Sequence, residues 1–161
     1  MKMNEEIKQM LYENIVYLAT SSKEGKPNVV PIGLVHAISD NEVLIGDVWL
    51  KKTRKNLEEN AQVAISFTDF RRWESYQLKG KAKIYKSGDI YEKALDIMKK
   101  KAEKREGSVG KIDDPEIRER AKKIGAMLKK SKLKAAVLVT IEKIYSHMPK
   151  RVENDEAEVE Q

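Results

Sequence analysis

Gln62-Val63-Ala64-Ile65-Ser66-Phe67-Thr68 and Tyr76-Gln77-Leu78-Lys79-Gly80-Lys81-Ala82-Lys83-Ile84-Tyr85 decide the fold class of this chain. In the first stretch Val63, Ile65 and Phe67 alternate with Ala64 and Ser66. In the second the alternation sets a lysine-rich face against an apolar one. A period of two sends successive side chains to opposite faces, so each stretch reads as a half-buried strand. Upstream, residues 42–46 give a third strand, residues 28–37 a second and residues 15–20 a first, all β-branched or aromatic in character. Ser22-Lys23-Glu24-Gly25-Lys26-Pro27 supplies turn chemistry for a hairpin between the first two, and Ser39-Asp40-Asn41 makes the next turn. Downstream, Ala135 to Ile144 is a continuous apolar strand.

Helices fill the intervals. Ile7, Met10 and Leu11 share one helical face behind Asn4, a plausible N-cap with Glu5 and Glu6 at the positive end of the dipole. Residues 53–60 form a one- to two-turn helix. Residues 87–131 carry two amphipathic helices, marked by Ile90, Ala94, Leu95, Ile97 and Met98 and by Ile117, Ala121, Ile124 and Leu128. Gly107-Ser108-Val109-Gly110 punctuates the gap, and Asp113-Asp114-Pro115 caps the second helix. The expected class is mainly β (α+β): a six-stranded antiparallel barrel, closed or partly closed, with flanking helices and a helical hairpin (about residues 87–131) inserted before the last strand. A parallel βαβ sheet fits poorly.

Composition narrows the chemistry. At 161 residues one domain is expected, over residues 1–150, followed by an acidic tail at 151–161. That tail holds Glu153, Asp155, Glu156, Glu158 and Glu160 with too few apolar groups to offset ordering, and is expected to be disordered. The remainder is therefore more basic than the net +6 of the whole chain, which favours anionic ligands without choosing among them. The absence of cysteine removes disulfides, thiolate catalysis and Cys-containing zinc sites. With His36 and His147 alone, no metal site is expected. No apolar run approaches the roughly 18–20 residues that span a bilayer, and no signal-peptide h-region follows the N-terminus; a soluble, cytoplasmic protein is expected. The phosphate loop, the dinucleotide fingerprint and the nucleophile elbow are all absent from the sequence.

Lys51-Lys52-Thr53-Arg54-Lys55-Asn56-Leu57 is the most informative segment for function. It puts two lysines, a hydroxyl and a helix start directly after a strand. Unpaired helix amides, the helix dipole and a full positive charge together suit a phosphate, although a solvated, lysine-rich helix start has the same composition.

The order of Val16-Tyr17-Leu18-Ala19-Thr20, the turn at Gly25, Pro27 to Ile32, the strand to Gly46, Lys52 to Leu57, Val63 to Phe67 and Tyr76 to Ala82 resembles the FMN-binding split β-barrel superfamily of pyridoxamine 5′-phosphate oxidase and the small FMN-binding proteins. The resemblance runs from about residue 12 to 86 and resumes at 135–145. It implies a flavoprotein, an oxidoreductase or electron carrier, working as a homodimer with FMN in a cleft between subunits. It implies that Lys52 and Thr53 hold the FMN phosphate and that Asn56, one turn on, braces the turn or reaches the ribityl chain. Main chain near Pro31-Ile32 and Leu44-Ile45-Gly46 would meet the isoalloxazine edge, and Gln77 and Lys79 would face the cofactor across the subunit interface. Gly46 would admit a flat ring through its missing Cβ, or else merely bend the strand end. Trp49 and Trp73 could stack on a flavin or fill an interface. Pyridoxamine phosphate oxidation itself is doubtful, because the chain lacks the Arg-x-His-type substrate signature and ends its last strand in Lys143-Ile144-Tyr145-Ser146-His147-Met148-Pro149. Other members of the superfamily take heme or the deazaflavin F420, and F420 is the alternative cofactor. A nucleic-acid-binding barrel using Lys99-Lys100-Lys101, Lys104 and Arg105 together with the lysine face of residues 76–85 is a further alternative, weakened by the scarcity of exposed aromatics beside those lysines. A scaffold whose helical hairpin recruits a partner is the third. The redox partner and small-molecule substrate are not legible.

Overall fold

The computed structural model describes residues 2–147. In chain order the elements are α1 (Glu5–Glu13), β1 (Val16–Ser21), β2 (Pro27–Ile32), β3 (Val35–Ala37), β4 (Glu42–Asp47), α2 (Lys51–Glu59), β5 (Gln62–Asp69), β6 (Glu74–Tyr85), α3 (Asp89–Val109), α4 (Pro115–Lys130) and β7 (Ala135–Ser146). All strand pairs are antiparallel, in one sheet of order β2-β1-β5-β6-β7-β4-β3.

That order dictates the architecture. β2 and β3 stand at opposite ends of the sheet, yet only Gly33 and Leu34 separate them in the chain. The sheet must therefore curl until its two edges meet, which makes a split barrel. Here the expectation of one strand over residues 28–37, and so of six strands, is corrected to seven. The upstream half of that segment pairs with β1 and the downstream half with β4, and no straight strand can do both. The carbonyls freed at the break find other donors. Lys101 Nζ donates to Gly33 O at 3.2 Å and to Val35 O at 2.7 Å, and Gly46 N donates to Leu34 O at 2.9 Å.

The inward residues of the strands fill the barrel: Val16 and Leu18, Val43 and Ile45, Val63, Ile65 and Phe67, Leu78, Val137 and Val139. Ile7, Met10 and Leu11 of α1, with Met3 just ahead of it, close the barrel, and Leu57 does so from α2. Each large side chain so buried contributes about 1.5–3 kcal/mol. The Asn4 cap is formed as the sequence implies, its side chain accepting from Ile7 N at 2.9 Å. At Gly80 the β6–β7 register shifts, and a Cβ there would lie 2.0 Å from Thr140 O, so only glycine lets the two backbones approach.

The inserted hairpin is laid on the outside of this barrel. A second apolar cluster joins Ala94 of α3 to Leu44, Leu133 and Ala136, and the Tyr91 hydroxyl donates to Leu133 O at 2.8 Å. Asp114 caps α4, with Pro115 as its first residue. No residue of α4 is buried, so it packs on α3 without entering the core. Residues 107–109, expected to interrupt the hairpin, instead form the last turn of α3. The expectation of a disordered tail at 151–161 falls outside the described residues.

Candidate functional site

The segment singled out for phosphate binding is built around a carboxylate. β4 ends at Asp47, a wholly buried residue whose Oδ1 accepts from Leu50 N at 2.9 Å and whose Oδ2 pairs with Arg54 Nε. A chain leaving a strand and entering a helix exposes backbone amides, and Asp47 satisfies one of them while compensating the guanidinium one turn into α2. That hydrogen bond raises the Arg54 pKa above its ordinary value. Arg54 Nη2 is nevertheless buried without a hydrogen-bond partner among the described residues.

Behind the helix start lies a polar network. Asn28 Nδ2 donates to Thr53 Oγ1 at 3.1 Å and to Thr20 Oγ1 at 3.3 Å, and Asn56 Nδ2 donates to Thr20 Oγ1 at 3.1 Å. Asn60 extends it to Ser21 Oγ at 2.8 Å. Thr53 is 1% exposed and Asn56 3% exposed, and with Leu57 they form the buried face of α2. Lys51, Lys52 and Lys55 lie on the exposed side. Lys52 and Thr53 thus point to different environments. Thr53 does not cap the helix, whose N-cap is Leu50, and its hydroxyl is engaged with Asn28.

The remaining expected residues fall in three places. Ile32 and Ile45 face the barrel core, while Leu44 packs under α3. β4 is flanked by β3 and β7, so the main chain of Leu44, Ile45 and Gly46 is committed to ladder hydrogen bonds on both sides. A Cβ on Gly46 would meet Leu34 Cδ2 at 1.9 Å and Cγ at 2.6 Å; the space expected to admit a flat ring is taken by the Leu34 side chain. Pro31, Gln77 and Lys79 do share one surface, the outer face of the sheet. The register aligns Pro31, Tyr17, Ser66, Gln77 and Tyr145 in one row, and Val29, Ala19, Ala64, Lys79 and Lys143 in the next. Lys79 Nζ sits 5.2 Å from the Tyr145 ring centroid. On this face Val29 is 63% exposed, Tyr17 46% and Tyr145 40%. The Trp49 and Trp73 side chains are both exposed, and Trp73 alone among the described non-glycine residues has a positive φ, of 55°.

Asp47, Arg54, Thr20 and Asn28 went unread in the sequence. The spacing of Thr53, Asn56 and Leu57 carried the signal for the network, since i, i+3, i+4 positions share a helix face and Leu57 marks that face as inward. Asp47 carried its own signal, an acidic residue three positions ahead of a helix-start amide.

A seven-stranded antiparallel split barrel with helices over its open end defines a superfamily, and the comparisons with known proteins agree. The pyridoxamine 5′-phosphate oxidase family model matches residues 3–148, and the chain belongs to that family. It is 36% identical over 100 residues to the uncharacterized protein MJ0282 of Methanocaldococcus jannaschii, a match covering 61% of this chain and 66% of that one. Among solved structures, HupZ of Group A Streptococcus superposes with a TM-score of 0.64 at 21% identity, over 90% of this chain and 94% of that one. A putative pyridoxamine 5′-phosphate oxidase from Lactobacillus delbrueckii gives 0.62 at 19%, over 89% and 93%. An FMN-binding protein from Syntrophomonas wolfei gives 0.53 at 16%, over 89% and 85%. At these identities the superpositions show the shared fold.

Proposed function

We propose that this protein binds FMN and serves as a flavin-dependent oxidoreductase or electron carrier, acting as a homodimer. The observation that carries the reading is the α2 start, where exposed Lys51 and Lys52 stand beside Arg54, whose buried Nη2 has no partner. A guanidinium donor left unpaired costs free energy that an anionic oxygen would recover, and Arg and Lys are suited to phosphate. Bound flavin would supply the redox chemistry; the chain supplies position and charge. In this reading Asp47 orients Arg54, Lys52 contributes charge to the phosphate, and Thr53 and Asn56 act through Asn28 and Thr20 by holding α2 against the barrel. Ring contacts are assigned to the outer face, to Gln77 and Lys79 of one subunit, and to main chain near Pro31 and Ile32, because β2 ends the sheet and its outward main chain has no neighbouring strand.

The dimer is supported by the same face. On it Val29 and Tyr17 stand exposed on neighbouring strands beside Ala19, Ala64 and Ser66, and Tyr145 stands exposed beyond Gln77, surface that a self-complementary contact would remove from water. The lysine-rich outer face of β6 remains the nucleic-acid alternative. Its Lys81 is paired with Glu142 at 3.4 Å, which offsets one of its charges, while Lys79 and Lys83 each lie over a tyrosine and keep theirs.

A visible absorption spectrum of the purified protein, with mass identification of any released cofactor, tests the reading. Uptake of FMN in titration, with Lys52→Ala weakening it about tenfold or more, is the expected result. F420 is the competitor in the same titration, since an F420 reductase shares the fold at a TM-score of 0.54. A colourless protein that takes up neither cofactor overturns the proposal.

A further inference from the structure

Away from α2, a cleft of about 350 Å³ opens between α1 and β3, lined by Glu5, Lys8, Gln9, Tyr12, His36 and Ala37. The Tyr12 and His36 rings meet edge to face, with centroids 5.8 Å apart. α3 brings two ammonium groups to the same place: Lys101 Nζ lies 4.9 Å and Lys104 Nζ 4.6 Å from the Tyr12 ring centroid, and Lys104 Nζ donates to the Tyr12 hydroxyl at 3.3 Å.

The cleft is out of electrostatic balance. The one carboxylate that lines it, Glu5, is taken by Lys8 at 2.8 Å, and Lys8 also holds Asp40 at 2.7 Å. Lys101 has only carbonyl oxygens as hydrogen-bond acceptors, and no ion pair with an acidic group is formed by Lys101 or Lys104 among the described residues. His36 Nδ1 is buried with no hydrogen-bond partner among the described residues. The Tyr12 hydroxyl, which accepts from Lys104, still has its own proton to donate. The titration behaviour agrees with uncompensated positive charge: burial and then Lys101, Lys93 and Lys100 push His36 below its ordinary pKa, and burial with Lys104 lowers Lys101 to about 8.

We propose that this cleft binds a small anion, a carboxylate or a phosphate monoester, through the Tyr12 hydroxyl, the His36 ring and the Lys104 ammonium. Lys101, fixed on the carbonyls of the β2–β3 break, adds charge from behind Tyr12. A ligand there provides the acceptor that His36 Nδ1 and the Tyr12 proton lack, and it places a negative charge among Lys8, Lys101 and Lys104. The cleft's volume is at the small end for ligand sites, which restricts it to a compact molecule. The proposal is independent of flavin binding, which is assigned to other elements.

The chain contains only two histidines, so ring-nitrogen NMR of the full-length protein resolves His36 against His147 as an internal control. Inorganic phosphate and acetate are titrated separately at constant ionic strength. The expected result is a saturable shift of His36 with His147 unmoved, and an upward movement of the His36 midpoint by roughly one pH unit as the anion binds. Saturation by phosphate alone assigns a phosphate ligand, and saturation by acetate alone a carboxylate. Lys104→Met should weaken binding about tenfold, and Tyr12→Phe, which keeps the ring and loses the hydroxyl, several-fold. If neither anion saturates His36, or if both variants bind as tightly as the parent protein, the site is refuted.

Discussion

Gly46→Ala separates a packing role from a cofactor role at one position. The added Cβ would lie 1.9 Å from Leu34 Cδ2 and 3.2 Å from Leu133 Cδ1, so Leu34 must move. Overpacking of this kind costs about 1–3 kcal/mol, and replacing glycine by alanine returns about 0.4–1 kcal/mol by restricting the unfolded chain. The net loss is about 1–2 kcal/mol. For a chain of 161 residues this corresponds to a fall in Tm of about 2–8 °C. Because the clash is with a side chain, truncating that side chain should relieve it. Gly46→Ala made in a Leu34→Ala background is therefore expected to cost less than about 0.5 kcal/mol. Urea unfolding of the four proteins in this cycle gives the coupling directly. Strictly additive effects would refute the steric account and imply that β4 itself resists a Cβ. Flavin titration of the same four proteins supplies the second answer: if the double variant is stable but fails to take up FMN while Leu34→Ala alone binds it, Gly46 lies against the ring after all.

Three further perturbations test other parts of the structure. Asp47→Ala removes the acceptor for Leu50 N and the partner of a partly buried guanidinium, and should cost about 2–4 kcal/mol in chemical unfolding, whereas Arg54→Met in the same background should recover part of that loss. Tyr17→Lys places a charge in the exposed outer row beside Pro31 and Ser66 and should convert the proposed dimer to monomer by light scattering without lowering the helical and strand content; an unchanged dimer would locate the interface elsewhere. Lys101 is lowered from 10.5 to about 8 in the folded protein, so between those values the unfolded chain binds more protons and stability rises with pH. Lys101→Met should abolish that rise, and an identical pH profile in the variant would show that another group is responsible.

Much of the fold was legible because its elements satisfy local rules. Asn4 caps α1, Asp114 and Pro115 open α4, and the period-two pattern of residues 62–85 gives β5 and β6. Pro31 and Gly33 interrupt the strand-like run of residues 28–37, but such residues mark an edge strand or a bulge as readily as a break, so the break at Gly33 and Leu34 was not read. Only the competing demands of β1 and β4 for pairing partners split them, and those demands are tertiary. Gly107 failed as a punctuation mark for a related reason: one glycine costs an exposed helix about 1 kcal/mol, too little to end a helix of 21 residues. At the candidate site the two lysines and the helix start were readable. The direction of Thr53 was not drawn from its spacing to Leu57, and the partnership of Asp47 with Arg54 depends on how β4 delivers its last residue to α2.

The two ends of the sheet have a consequence for assembly. β2 carries Pro27 and Pro31, each without an N–H to offer an incoming strand, and β3 is three residues long with α1 packed against it. Neither border can template a further strand, so growth by edge-to-edge addition, the route to fibrils and open-ended polymers, is blocked from both sides. In the dimer we propose, association is left to the outer face, where a contact between identical surfaces is satisfied by a single partner and stops at two.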